Sequence, residues 1–209
     1  LELWHGPTCA FKDYALQLMP RLLVEAKKTL GRTETTRILV ATSGDTGKAA
    51  LAGYAGLDGI EIQVFYPNAG TSEIQRLQMV TQEGENVQVY AVDGNFDDAQ
   101  TGVKRVFADA SVGAELEKRN IRLSSANSIN WGRLVPQIVY YFHAYFRLVE
   151  QGAAAWGQPV DFCVPTGNFG DILAGYYAKR MGLPVGKLVC ASNRNNVLTD
   201  FIRTGTYDA

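Results

Sequence analysis

The stretch RILVATSGDTGKAALAGYAG, residues 37–56, carries three signals in a row. Residues 37–42 form a short apolar run that reads as a buried strand. Residues 43–47, Ser-Gly-Asp-Thr-Gly, read as a loop of small and polar side chains. From residue 46 the alanine-rich segment reads as a helix ending near residue 56. A strand that passes through a small-residue loop into a helix is the repeating unit of a parallel α/β sheet.

The unit recurs along the chain. Residues 60–67, 86–92, 159–165 and 185–191 read as further short buried strands, and residues 121–123 as a brief one. Helices are expected over residues 14–30, 46–56, 72–82, 97–107, 132–151, 172–181 and 197–203. This alternation predicts an α/β fold of mostly parallel sheets with helices on both faces. Such sheets bind ligands at the carboxyl ends of their strands, in the loops that enter the helices. The segment VEQGAAAWGQP, residues 149–159, is the best linker candidate and predicts lobes over 1–150 and 151–209. The helix IVYYFHAYFRLV, residues 138–149, is apolar all round. It is expected to be buried in a core or a subunit interface, with His143 as a core histidine.

Composition narrows the function. The chain has 209 residues, 46% hydrophobic and 20% charged, enough to build a sizeable core. A formal net charge of -1 argues against a nucleic-acid or membrane-surface binder. No apolar run is long enough to span a membrane. Cys9, Cys163 and Cys190 give neither a disulfide framework nor a zinc spacing, so no metal is expected and a reduced, cytoplasmic setting is. Cys9 reads as a small packing residue. The start at Leu1 and the end at FIRTGTYDA read as cuts from a longer protein.

Four loops carry candidate chemistry. In the first, Ser43, Asp45, Thr46 and Gly47 offer hydroxyls and free N–H groups that suit a carboxylate or phosphate. Alternatively Asp45 or Thr46 simply caps the helix. A nucleotide-binding P-loop is excluded, because Thr42 and Ala49 stand where that motif needs glycine and a hydroxyl residue. In the second, PTGNFGD, Gly167 and Gly170 let the backbone approach a ligand at a helix start. That is the recipe for a phosphate cradle, although a glycine-rich turn with Asp171 near the cap would look the same. The dinucleotide fingerprint G-x-G-x-x-G is absent from this loop.

The third loop, HGPTCAFKDYALQ, residues 5–17, places Lys12 at the positive end of a helix and beside Phe11. Both influences disfavour its ammonium form, and a lysine amine forms imines with aldehydes. A solvated loop lysine is the plainer alternative. In the fourth, SSANSINWGRL, residues 124–134, Arg133 again stands at the disfavoured end of a helix. An anion contact would explain it, and surface capping by Asn127, Ser128 or Asn130 is the alternative. An amine, a phosphate cradle and a second anion site together suit an aldehyde cofactor that carries a phosphate. Pyridoxal 5'-phosphate is that molecule.

Four motifs, HGPTCAFKDYALQ, TSGDTGKAA, NSINWGR and PTGNFGD, occur here in the order found in threonine synthases of the bacterial and fungal type. The chain thus resembles that family, part of the fold type II, tryptophan-synthase-like group of pyridoxal-phosphate enzymes. Plant-type synthases and dehydratases are less similar: their lysine follows a Ser-Phe pair, and their substrate loop commonly has Asn where this chain has Asp45. The resemblance implies that Lys12 holds the cofactor and moves substrate protons. It implies that Thr166, Gly167, Asn168, Phe169 and Gly170 cradle the cofactor phosphate. Ser43, Asp45, Thr46 and Gly47 would line the substrate end, and Asn130 and Arg133 would take the substrate phosphate, with Asn127 and Ser128 in support. The implied reaction turns O-phospho-L-homoserine and water into L-threonine and phosphate. Rival expectations are a threonine/serine dehydratase, a non-catalytic synthase-like fragment and an ordinary nucleotide-binding domain. Family members extend further at both ends, so a central fragment, possible homo-oligomer, incomplete and inactive alone, is expected.

Overall fold

The computed structural model describes residues 1–127, 130–194 and 196–207. Its elements run α1 (Lys12–Thr29), β1 (Thr35–Ala41), α2 (Asp45–Tyr54), β2 (Ile60–Pro67), α3 (Glu73–Val80), β3 (Val87–Val92), α4 (Phe96–Ala108), α5 (Ala110–Lys118), β4 (Ile121–Ser125), α6 (Trp131–Glu150), β5 (Val160–Pro165), α7 (Gly170–Arg180), β6 (Val185–Ala191) and α8 (Val197–Thr204). The chain divides into two compact units, Leu1–Pro136 and Gln137–Ala209. The boundary drawn from the sequence lies at the end of α6, whereas the packing divides the chain inside that helix.

In the first unit four strands pair in the order β3-β2-β1-β4, all parallel. The chain steps from β1 outward through α2 and α3, then returns across the sheet to place β4 on the other side of β1. Right-handed crossovers therefore set α2 and α3 on one face and α4 and α5 on the other. The strand order reverses between β1 and β4, the place where sheets of this kind receive ligands at the carboxyl ends of their strands. Asn127 bridges that point, its side-chain amide donating to the Ala41 carbonyl at 3.3 Å. The core lies between the sheet and α1 and α2, built from Leu16, Ile38, Val40, Leu51, Tyr54, Ile62, Val64 and Met79.

α1 and α2 cross almost backbone to backbone. Pro20 stands inside α1 and has no N–H to give to the Leu16 carbonyl one turn earlier. Gly53 of α2 lies against that same carbonyl, so close that a Cβ there would sit 2.0 Å from the oxygen. The missing helical bond and the missing side chain occur at one spot and let the two helices meet.

In the second unit β5 and β6 pair in parallel, with α7 connecting them. The Tyr141 hydroxyl of α6 donates to the Asp171 carbonyl at 2.8 Å. Within this chain α6 is not buried on all sides. Leu134, Gln137, Ile138, Tyr141 and Tyr145 form a buried stripe, while Val139 is 60% and Phe146 45% exposed. His143, expected in the core, is exposed on that outer side. Burial follows the helical period even where the sequence is apolar all round.

Candidate active site

Asp13 organises the loop that carries the lysine. It is buried, and its carboxylate accepts from the N–H groups of Thr8 at 2.9 Å and Ala10 at 3.2 Å and from the Thr8 hydroxyl. Gly6 packs against the same carboxylate, leaving no room for a side chain. Cys9 is not a packing residue as expected: it is exposed, in a left-handed backbone conformation with φ 55. This clamp fixes residues 6–11, and with them Lys12, the first residue of α1.

The Lys12 side chain is only 16% exposed, and its Nζ lies 3.9 Å from Asp45 Oδ2 and 5.5 Å from the centre of the Phe11 ring. Burial pulls its pKa down to about 8. Asp45 opposes the shift, and the charges of Arg133 and Lys48 add to it. About a tenth of Lys12 is therefore unprotonated amine at pH 7, far more than for an ordinary lysine, and the main cause is burial, the second of the two influences read from the sequence.

At the end of β1, the Thr42 hydroxyl accepts from the N–H groups of Gly44 at 2.9 Å and Gly47 at 3.0 Å. Gly44, the cap position, has φ 148 and makes no side-chain cap. Neither Asp45 nor Thr46 does the capping; Thr42 does. Asp45 is thus left to turn its carboxylate toward Lys12. Gln75 of α3 donates to Asp45 Oδ1 at 2.6 Å, and Lys48 Nζ lies 3.7 Å from the same oxygen. Ser43 is exposed, while Thr46 and Gly47 are buried.

Arg133 lies in the first turn of α6, 1% exposed, with Nη1 donating to the Ala126 carbonyl at 3.4 Å. Its charge acts on both Lys12 and the buried Tyr54 hydroxyl. Asn130 uses both ends of its amide: Nδ2 donates to the Ser125 carbonyl at 2.9 Å, and Oδ1 accepts from the Gly132 N–H at 3.0 Å. It shapes the turn that presents Arg133. Ser128 lies outside the described residues. Lys12 and Lys48 thus flank the Asp45 carboxylate, and the Arg133 charge acts on Lys12 from α6.

The glycine loop belongs to the second unit. Thr166 anchors it, with its N–H and its hydroxyl both donating to the Ala191 carbonyl at 2.8 and 2.9 Å. Gly167 with φ 43 and Phe169 with φ 61 are left-handed, which folds residues 166–169 into a tight turn. The turn closes with the Phe169 N–H on the Thr166 carbonyl at 2.8 Å. Gly167, Asn168 and Phe169 are exposed, and Gly170 opens α7. Its first N–H groups have no acceptor within the helix, as at any helix start. Burial pushes the Asp171 carboxyl above the usual carboxylate range, partly offset by the hydrogen bond from Tyr141.

Sequence reasoning overlooked Thr42, Lys48, Gln75 and Asp13 as parts of the site. Thr42 and Lys48 stood in view, since both fell within the failed nucleotide-loop comparison. Gln75 comes from a different helix and has no local signal. The donor set suits a molecule with an aldehyde and a phosphate. In the first unit the buried Lys12 amine has the chemistry to react with an aldehyde, and in the second unit, taken by itself, the turn that opens α7 has the chemistry to receive an anion.

Comparison with known proteins agrees. A family model described as pyridoxal-phosphate dependent enzyme matches residues 1–209. Threonine synthase of Pseudomonas aeruginosa is 50% identical over 210 residues, covering 100% of this chain and 42% of that protein. Human threonine synthase-like 1 is 50% identical over 214 residues, covering 100% of this chain and 28% of its own. Among solved structures, pyridoxal-phosphate-bound threonine synthase from Brucella melitensis superposes with a TM-score of 0.84 at 43% identity, over 100% of this chain and 42% of that one. Yeast threonine synthase gives 0.84 at 41% identity, over 100% and 40%. The chain spans less than half the length of each of these relatives. A match over the whole chain, joined to the lysine and glycine-loop geometry, makes this chain a member of the pyridoxal-phosphate dependent enzyme family.

Proposed function

We propose that the protein containing this chain is a threonine synthase that releases phosphate from O-phospho-L-homoserine and adds water to give L-threonine. The observation that carries this reading is Lys12, a buried lysine held near a pKa of about 8 within a cluster rich in positive charge. Pyridoxal phosphate, when bound, supplies an electron sink for a carbanion at the substrate α-carbon. Lys12 would anchor its aldehyde carbon, and Thr166, Gly167, Asn168, Phe169 and Gly170 would hold its phosphate.

The remaining work falls to the chain's own groups. As a free amine, Lys12 takes a proton at the α-carbon and returns or removes one at the β-carbon. A pKa close to the working pH lets one lysine act in both directions. The loop of Ser43, Asp45, Thr46 and Gly47 binds the substrate's amino-acid end through hydroxyls and helix-start N–H groups. Arg133 meets the substrate phosphate, and Asn130 holds the turn that presents it. Arg133 gives planar paired donors, which a leaving phosphate dianion favours over a hydroxyl. Among the described residues no helix is long and apolar enough to cross a membrane, and Cys9, Cys163 and Cys190 are free. A reduced cytoplasmic setting fits the latter.

Borohydride reduction after adding pyridoxal phosphate, followed by peptide mapping, should place the label on Lys12. Phosphate and threonine formation from phosphohomoserine are then assayed in the full-length protein. Arg133→Ala should raise the KM for phosphohomoserine at least tenfold, the loss of about one charge-assisted contact. An unchanged KM would favour a dehydratase. A label on Lys12 with no phosphate release would favour a synthase-like protein without this turnover.

A further inference from the structure

Lys48 has no part in the roles assigned above, yet it is only 7% exposed. It lies one turn into α2, three residues after Asp45. Its Nζ is 3.7 Å from Asp45 Oδ1, while Lys12 Nζ is 3.9 Å from Asp45 Oδ2. Both separations exceed a direct hydrogen bond. No described residue accepts a hydrogen bond from either ammonium. The one close contact to the carboxylate is Gln75, at 2.6 Å on the oxygen that faces Lys48. Asp45 is therefore held between two lysines and closes on neither.

We propose that Lys48 is a positioning residue for Lys12: its ammonium, with Gln75, retains Asp45 on the far side and prevents that carboxylate from pairing fully with the Lys12 nitrogen. A carboxylate in full contact with Lys12 would secure its proton and abolish the base. Shared with Lys48, the same carboxylate orients Lys12 without capturing it. The Lys48 charge also repels a proton on Lys12 directly. The groups facing Lys12 are Asp45 and Lys48 from α2 and Arg133 from α6. Asp13, on its own helix, spends its carboxylate on Thr8 and Ala10. Of these, Lys48 is the cation placed on α2 with Asp45, 3.7 Å from the one anion that opposes the amine form.

The inference rests on Lys12 as the cofactor anchor, but its test needs no cofactor. In the cofactor-free full-length protein, trace acetylation with isotope-coded acetic anhydride across pH reads the titration of Lys12 from its peptide. The wild-type midpoint is expected near 8. Lys48→Met keeps the stem and removes the charge, so the midpoint should rise and acetylation at pH 7 should fall about tenfold, the change expected for a pKa higher by one. Lys48→Arg keeps the charge and should retain near-wild-type labelling. No change in Lys48→Met would overturn the proposal. So would equal shifts in both variants, since packing rather than charge would then be responsible. Failure of cofactor to label Lys12 in the wild type would instead count against the anchor assignment and leave the titration result standing.

Discussion

At the scale of single residues, the site depends on side chains that are spent on backbone so that others stay available. Thr42 is the clearest case. Its hydroxyl takes two N–H groups at the start of α2, which leaves Asp45 to face Lys12. Thr42→Val keeps the shape and removes both acceptor contacts in a buried position. It should lower stability by about 1–2 kcal/mol, measured by urea unfolding, the usual cost of losing a helix cap. Activity should fall further than stability alone explains, because Asp45 is the nearest carboxyl group to take over the cap. Asp13 plays the corresponding role on the lysine side, with three donors on one buried carboxylate.

At the scale of elements, the crossing of α1 and α2 depends on Gly53. Gly53→Ala would force a methyl group onto the Leu16 carbonyl and push the helices apart. The expected loss is at least about 2 kcal/mol in urea unfolding, at the upper end for overpacking of a core. The elements themselves were largely legible. β1, β2, β3, β5 and β6 occur where apolar runs stand between turn residues, and most helices begin within two residues of their expected starts. α5 escaped because none of its residues is buried, so it has no apolar stripe to read. Its Asp109 cap and helix-favouring composition were the only signals. The linker over residues 149–159 already set β5 and β6 in a lobe of their own, but the strand order β3-β2-β1-β4 was not legible, since strand pairing joins residues far apart in sequence. The lysine and the glycine loop could be read locally. The link from Gln75 to Asp45 could not, because α3 meets the loop only after the sheet has formed.

At the scale of the whole molecule, Lys12 is costly to the fold. Its pKa is about 8 when folded and 10.5 in an ordinary environment, so the unfolded chain binds the proton more tightly. For a lysine of depressed pKa, stability is at its lower level below pH 8 and rises as pH climbs from 8 toward 10.5. Replacing it with an uncharged side chain removes that penalty. Lys12→Met should therefore be inactive yet more stable than the wild type at pH 7, by on the order of 2–3 kcal/mol. The advantage should shrink steadily above pH 8, and paired urea melts at pH 7 and pH 10 measure it. An equal stability difference at both values would mean that packing, not protonation, accounts for it.

The meeting of Leu16 and Gly53 makes α1 and α2 resemble the blades of a pair of scissors, with Lys12 at one tip and Asp45 at the other. Lys12 is about one turn from the pivot and Asp45 about two, at roughly 1.5 Å of rise per residue. A small opening at the rivet is magnified at the tips. The gap between amine and carboxylate is thus gauged by a contact with no side chain in it. Variants that alter catalysis without touching any group that meets the substrate should accumulate around residues 16, 20 and 53.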